Sequence, residues 1–151
     1  ERLRVASLFH DIGKIGVPDE ILFKDGRLTD EEYAKIKEHP ANGARILSPL
    51  SHFQPIVPIV RAHHERMDGK GYPDGLRGEQ IPLEARMIAV ADSYDAMTSN
   101  RRYRSSLGQD RAVGELIAGK GSQFDATLVE AFLRVLQDKQ RLQKDLADLE
   151  E

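Results

Sequence analysis

Apolar residues recur three or four positions apart along most of this chain, which is the spacing of amphipathic α-helices. Thr29 and Glu32 form a capping-box pattern at one helix start, and Pro82 suits the first turn of another helix. Pro40 should end or kink the helix that begins near position 30. The pattern predicts helices over about residues 3–10, 30–39, 41–47, 53–65, 82–99 and 110–118, and from 126 onward. No convincing strand pattern occurs, so we expect an all-α domain.

The segment from Met67 to Ile81 breaks the helical pattern. It has no apolar period and is rich in glycine, with a proline among the glycines: Gly69, Gly71, Pro73, Gly75 and Gly78. Such a composition predicts a loop whose backbone adopts angles that other residues rarely tolerate.

Length and composition fit one ordinary globular domain. The chain has 151 residues, of which 40% are hydrophobic and 31% charged. Its formal net charge of -3 argues against binding to a nucleic acid polymer or an anionic membrane through bulk charge. No apolar run approaches the roughly 18 residues of a membrane span. Because the sequence lacks cysteine, its chemistry depends on histidine, carboxylate, lysine, arginine and the backbone.

The last predicted helix carries a heptad-like pattern that continues into a charged tail. Its spaced positions alternate by four and three residues: Leu128, Phe132, Val135, Lys139, Leu142, Leu146 and Leu149. We therefore separate a charged helical tail, residues 137–151, from a domain over residues 1–136. Three interpretations stay open: a coiled-coil extension that forms a homodimer, a signalling connector, or a helix end lying on the domain.

Four of the five histidines, together with two aspartates, form a metal-ligand pattern. Ionised carboxylates and neutral imidazoles in a dry pocket are what a divalent cation compensates. The pattern consists of His10, Asp11, His39, His63, His64 and Asp92. Adjacent helical residues point about 100° apart, so each sequence-adjacent pair suits two neighbouring ions, or one ion and its water, better than one ion alone. A carboxylate such as Asp11 can bridge two ions. Taken singly, each histidine is better explained as a helix-capping or core residue, and His52 lies outside the pattern.

Two motifs carry a family resemblance. The stretch His10-Asp11-Ile12-Gly13-Lys14-Ile15-Gly16, with Pro18, resembles the HD superfamily of metal-dependent phosphohydrolases. The stretches His63-His64-Glu65-Arg66, Asp68-Gly69 and Gly71-Tyr72-Pro73-Asp74-Gly75 narrow the resemblance to the HD-GYP family, which degrades the bacterial second messenger cyclic di-GMP. The match runs from about residue 3 to residue 132. It implies a helical HD-type bundle around a metal centre.

The resemblance also assigns roles to single residues. The six residues of the metal-ligand pattern match the family's metal positions, with Asp11 as the bridging carboxylate. Lys14 matches a lysine that acts near metal and phosphate, Tyr72 a substrate-contacting tyrosine, and Arg101 and Arg104 a phosphate-binding pair. The family implies two divalent ions, or three in some members, with iron or manganese favoured. Nickel, cobalt and zinc suit the same nitrogen and oxygen ligands.

These roles predict a phosphodiesterase that hydrolyses cyclic di-GMP to linear pGpG, with a second cut to GMP left open. A metal ion lowers the pKa of water towards about 7, and Asp11 and Lys14 would act at the reacting phosphate. Two alternatives stay open: hydrolysis of another nucleotide, and a catalytically silent module that senses cyclic dinucleotides or docks a partner.

The family usually has a helix before the dyad that carries a further ligand, whereas only nine residues precede His10. We therefore expect a fragment of a longer cytoplasmic protein with an upstream sensory or receiver domain.

Overall fold

In the computed structural model, which describes residues 1–99 and 106–148, helices alternate with short loops. The α-helices are α1 (Arg2–Phe9), α2 (Asp19–Leu22), α3 (Asp30–Lys37), α4 (His39–Leu47), α5 (Val57–Ala62), α6 (Leu83–Thr98), α7 (Gln109–Ala118) and α8 (Ala126–Ala147). Three 3-10 helices cover Ile12–Gly16, Ser51–Ile56 and Gly78–Gln80. Within the described ranges the backbone forms no strand and only a single bridge, between Lys120 and Phe124. The all-α prediction is confirmed.

Several helix boundaries differ from the sequence prediction because prolines intervene. The helix predicted over residues 53–65 is a 3-10 helix that contains Pro55, followed by α5 with Pro58 in its first turn. Proline has no backbone N–H to donate, so one continuous α-helix cannot pass through both positions. Pro40 likewise lies in the first turn of α4, and His39 therefore begins α4 instead of ending the preceding helix. Helix α2 was not predicted.

Two apolar clusters form the core, and α6 contributes to both. The first cluster is built mainly from α5, α6 and their flanking segments and includes Ile56, Ile59, Val60, Ile81 and Ile88. The second is built from α6, α7 and α8 and includes Val90, Leu116, Phe124 and Val129. Because Ile88 and Val90 lie on one helix, that helix is fixed on both sides just before it reaches Asp92.

The first 3-10 helix and α4 approach each other through two glycines. A β-carbon added to Gly13 would meet the backbone carbonyl of His39 and the backbone nitrogen of Gly43. A β-carbon on Gly43 would lie 3.1 Å from the side chain of Val60 and 3.3 Å from the backbone nitrogen of Gly13. This contact brings the segment that carries Asp11 and Lys14 against the start of α4.

Helix α8 runs past the second apolar cluster, and Gln140 in its second half donates a 3.0 Å hydrogen bond to Gln109 at the start of α7. Leu128 and Phe132 pack against the second apolar cluster, whereas Val135 and Leu142 are each 62% exposed. The Leu146 side chain and Leu149, which complete the predicted heptad pattern, lie outside the described part of the structure. The boundary at residue 136 and the coiled coil stay predictions. Among the helices of the described ranges, none combines the length and the hydropathy of a bilayer-spanning segment.

Candidate metal centre

Four predicted ligands converge on one point between separate helices. Asp11, His39, His63 and His64 each offer one ligand atom, and these atoms all lie within 4.8 Å of one another. The Nε2 atoms of His39 and His63 are 3.2 Å apart. Asp11 Oδ1 lies 3.2 Å from His39 Nε2 and 3.9 Å from His63 Nε2. The side chains of His39 and His63 are 1% and 0% exposed, whereas that of Asp11 is 38% exposed, so the cluster is buried at these two histidines and accessible to solvent at Asp11.

Helix-end carbonyls fix how three of the histidines face the centre. The Nδ1 atom of His10 lies 2.8 Å from the carbonyl oxygen of Ser7, that of His39 lies 2.7 Å from the carbonyl of Ile36, and that of His63 lies 2.6 Å from the carbonyl of Val60. A carbonyl oxygen only accepts hydrogen bonds, so each Nδ1 carries the proton and donates it. In the neutral form of each ring Nε2 then carries the lone pair, which is the arrangement of a metal-ligating imidazole.

The charge states suit a metal ion. Burial lowers the pKa of His63 to about 3 and that of His64 to about 4, so both rings are neutral at pH 7. Burial acts to raise the pKa of Asp11, but the adjacent His39 and Lys14 outweigh it and hold that pKa well below its usual range. Lys14 donates to Asp11 Oδ2 at 2.5 Å. Asp11 is therefore ionised beside the neutral rings of His63 and His64.

His10 and Asp92 extend the centre on the other side of Asp11. His10 Nε2 lies 3.6 Å from Asp11 Oδ2 and 3.8 Å from Asp92 Oδ1, which is too long for hydrogen bonds. The carboxylate of Asp92 raises the pKa of His10. Among the described residues His10 Nε2 is buried without a hydrogen-bond partner. An orphaned nitrogen between two carboxylates has the coordination chemistry that a divalent cation satisfies, so the residues fit the predicted metal.

The two oxygens of Asp11 face different neighbours. Oδ1 faces His39 and His63, whereas Oδ2 faces His10 and Lys14. A carboxylate placed between two groups of nitrogen ligands has the geometry to bridge two ions. The bridging role expected for Asp11 is consistent with this arrangement.

The glycine-rich loop lies over one side of the centre. The ring of Tyr72 stacks on that of His64, with centroids 5.0 Å apart and planes 28° from parallel. A β-carbon on Gly71 would lie 2.5 Å from the Glu65 α-carbon and 2.6 Å from the His64 carbonyl oxygen, so only glycine allows this close approach. Burial raises the pKa of the Tyr72 hydroxyl.

Glu65 holds the loop in place and was missed by the sequence analysis. The residue is 4% exposed, and its Oε1 accepts hydrogen bonds from the backbone N–H groups of Asp74 at 2.7 Å and Gly75 at 3.0 Å. A carboxylate directly after the histidine pair was the available signal, since a buried acid must find donors. Arg101 and Arg104, the predicted phosphate-binding pair, lie outside the described residues.

Comparisons with known proteins agree with the motifs. A family model described as an HD domain matches residues 1–128. A cyclic di-GMP phosphodiesterase from Vibrio cholerae is 45% identical over 142 residues, covering 89% of this chain and 29% of that protein. The 3'3'-cGAMP-specific phosphodiesterase 3 of the same organism is 43% identical over 134 residues, covering 89% of this chain and 29% of that protein. This chain thus spans less than a third of the length of either relative.

A solved structure supports the fold independently. Bd1817, an HDG"Y"P protein from Bdellovibrio bacteriovorus, superposes with a TM-score of 0.72 at 22% sequence identity, covering 90% of this chain and 43% of that chain. The family match over residues 1–128 includes every predicted ligand position from His10 to Asp92. The predicted HD-GYP resemblance is confirmed, and the chain belongs to the HD domain family.

Proposed function

We propose that this chain is the catalytic domain of a cyclic di-GMP phosphodiesterase that produces linear pGpG. The single observation that carries the proposal is the convergence of one ligand atom each from Asp11, His39, His63 and His64 within 4.8 Å. The name of the Vibrio cholerae relative at 45% identity supports this substrate. A second cut to GMP is a separate proposal that product analysis would test.

The proposed metal ligands are His10, Asp11, His39, His63, His64 and Asp92, with Asp11 shared between two ions. Iron or manganese is the favoured metal, and nickel, cobalt and zinc suit the same donors. When bound, such ions supply a nucleophile at neutral pH and neutralise charge at the phosphate. Neutral His63 and His64 can ligate without first losing a proton.

Lys14 and Tyr72 are the proposed substrate contacts beside the metal ligands. Lys14 is held at Asp11 by a 2.5 Å hydrogen bond, so its ammonium lies where charge develops on the non-bridging phosphate oxygens. Tyr72 offers its hydroxyl for a phosphate contact and its ring edge to a nucleobase. Arg101 and Arg104 complete the proposal as phosphate-binding residues.

A His63→Ala variant tests the proposed function against a matched surface control. His63 is fully buried at the centre, whereas His52 is exposed and outside it. We expect His63→Ala to lose cyclic di-GMP turnover and most bound metal, measured by chromatography of the products and by elemental analysis. His52→Ala should retain both. Retained turnover in His63→Ala would refute the metal-dependent mechanism, and a metal-loaded wild type without turnover would favour the silent sensing or docking module.

A second candidate substrate is 3'3'-cGAMP. The observation that favours it is a relative at 43% identity whose name specifies that nucleotide. The two substrates differ in one nucleobase, so the metal centre itself cannot select between them. The ratio of kcat/KM for cyclic di-GMP to kcat/KM for 3'3'-cGAMP separates the two candidates.

The setting of the domain is also a proposal. We infer an upstream sensory or receiver domain in the longer protein, a cytoplasmic location where the messenger occurs, and a homodimer formed through α8. The exposed Val135 and Leu142 on that helix support the last of these. Sedimentation of the chain with and without residues 137–151 would test it.

A further inference from the structure

A cavity of about 360 Å³ opens beside the metal centre. His63 and His64 line the side of the cavity nearest the centre, and Tyr33, Lys37 and Tyr72 line it beyond them. Its volume lies within the range of small-molecule sites in proteins. A substrate bound at the centre can therefore extend into a space walled by two aromatic rings and a cation.

Lys37 lies between those two rings. Its Nζ is 4.8 Å from the ring centroid of Tyr33, one turn earlier on α3, and 5.7 Å from that of Tyr72 in the glycine-rich loop. Both distances fall within cation–π range, which fixes the ammonium at the cavity without using its hydrogen-bond donors. Lys37 thus links α3 to the loop at the cavity wall.

The ammonium of Lys37 is free for an anion. Lys14, Lys24 and Lys120 each pair with a carboxylate at 2.5–2.7 Å. Within residues 1–99 and 106–148, Lys37 has neither a hydrogen bond nor an ion pair, and its described contacts are the two rings. The nearby Arg66 differs, because Asp68 holds its guanidinium through two hydrogen bonds of 3.0 and 2.7 Å. Lys70 also lines the cavity and has no ion pair among the described residues, but of these three cations Lys37 is the one whose ammonium lies over two aromatic rings.

The proposed substrate requires a second anion site. A cyclic dinucleotide has two phosphodiester groups, and when one is at the metal centre the other must lie elsewhere. Resting on the proposed function, we propose that Lys37 binds the second, unreacting phosphate of the cyclic dinucleotide and that the exposed ring of Tyr33 stacks on one of its bases. Lys37 is then a specificity-determining residue, since it favours substrates with two phosphates over simple diesters.

Steady-state kinetics of Lys37→Met against Lys35→Met tests this proposal. Both lysines are exposed on α3, but Lys35 does not line the cavity. We expect Lys37→Met to raise KM for cyclic di-GMP about 10- to 100-fold with little change in kcat, as for the loss of one hydrogen bond between charged groups. Turnover of bis(4-nitrophenyl) phosphate, which has a single phosphodiester, should not change. Lys37→Arg should recover part of the loss, and Lys35→Met should match wild type on both substrates.

The outcomes separate this inference from the proposed function. An unchanged KM for cyclic di-GMP in Lys37→Met, or an equal loss on both substrates, would overturn the role of Lys37. If wild type cleaves the simple diester but not cyclic di-GMP, the proposed function fails, and calorimetric binding of cyclic di-GMP replaces kinetics. Weaker binding by Lys37→Met than by Lys35→Met would then still support the anion site. Absence of binding by wild type would overturn it.

Discussion

Substituting Gly13 by alanine tests how the fold assembles the centre. The added β-carbon would lie 2.8 Å from the His39 carbonyl carbon and closer still to the carbonyl oxygen of His39 and the backbone nitrogen of Gly43. Overpacking costs about 1–3 kcal/mol when side chains can adjust. Here the obstructing atoms are backbone atoms that cannot rotate aside, so we expect a loss near the upper end, about 3 kcal/mol. At about 2–4 °C per kcal/mol for a chain of this size, Tm should fall by roughly 6–12 °C.

Urea unfolding followed by circular dichroism measures this loss, and Gly114→Ala is the matched control. Gly114 lies inside α7, and a β-carbon there would have no atom within 4 Å. Glycine in a helix interior is about 0.5–1 kcal/mol less favourable than alanine, so Gly114→Ala should be as stable as wild type or more stable. Because the clash involves His39 itself, Gly13→Ala should also bind less metal. A Gly13→Ala protein within about 0.5 kcal/mol of wild type would refute the close-packing argument.

Three further predictions concern the loop, a helix cap and the metal. Glu65→Ala should lower the free energy of unfolding by about 2–3 kcal/mol and speed hydrogen exchange across residues 66–78, because two loop N–H groups lose their acceptor. Glu65→Gln keeps an acceptor oxygen and should lose less stability, so equal losses in the two variants would contradict this role. Thr29→Ala removes the capping box and should lower the free energy of unfolding in urea by about 1 kcal/mol, with the metal content unchanged. A loss of bound metal would contradict a purely local role for Thr29. Manganese at about 100 times its Kd should stabilise the wild type by about 2.7 kcal/mol in thermal unfolding and should not stabilise His63→Ala. Equal stabilisation of both proteins would refute binding at the centre.

The helical character and several helix limits could be predicted from local signals. The capping box at Thr29 begins α3 as expected, and α6 follows Pro82 closely. These features depend on residues three or four positions apart, which the sequence displays directly. The predicted helix over residues 53–65 was wrong in form because its apolar period was read without the effect of Pro55 and Pro58 on hydrogen bonding.

The site was predictable in its members but not in its geometry. Residue types and a family motif identified the side chains that now converge, such as Asp11 and His39. Their separations depend on which helices pack together, and that depends on contacts such as Gly13 against Gly43 between distant segments. Lys37 illustrates the limit, because no periodicity places its ammonium against the ring of Tyr72 in a loop far along the chain.

The histidines show that the capping interpretation and the metal-ligand prediction are physically compatible. His10 and His63 lie immediately after helices, and His39 begins α4 two residues after α3 ends, so each Nδ1–H reaches a carbonyl in the last turn of the preceding helix. Those carbonyls lack intrahelical partners, which is the reason a histidine suits the position as a cap. In the neutral ring the same hydrogen bond fixes the tautomer, with Nε2 as the nitrogen that carries the lone pair. Helix termination thus orients each imidazole, and the packing of separate helices brings the Nε2 atoms of His39 and His63 to within 3.2 Å of each other, as the metal-ligand prediction requires.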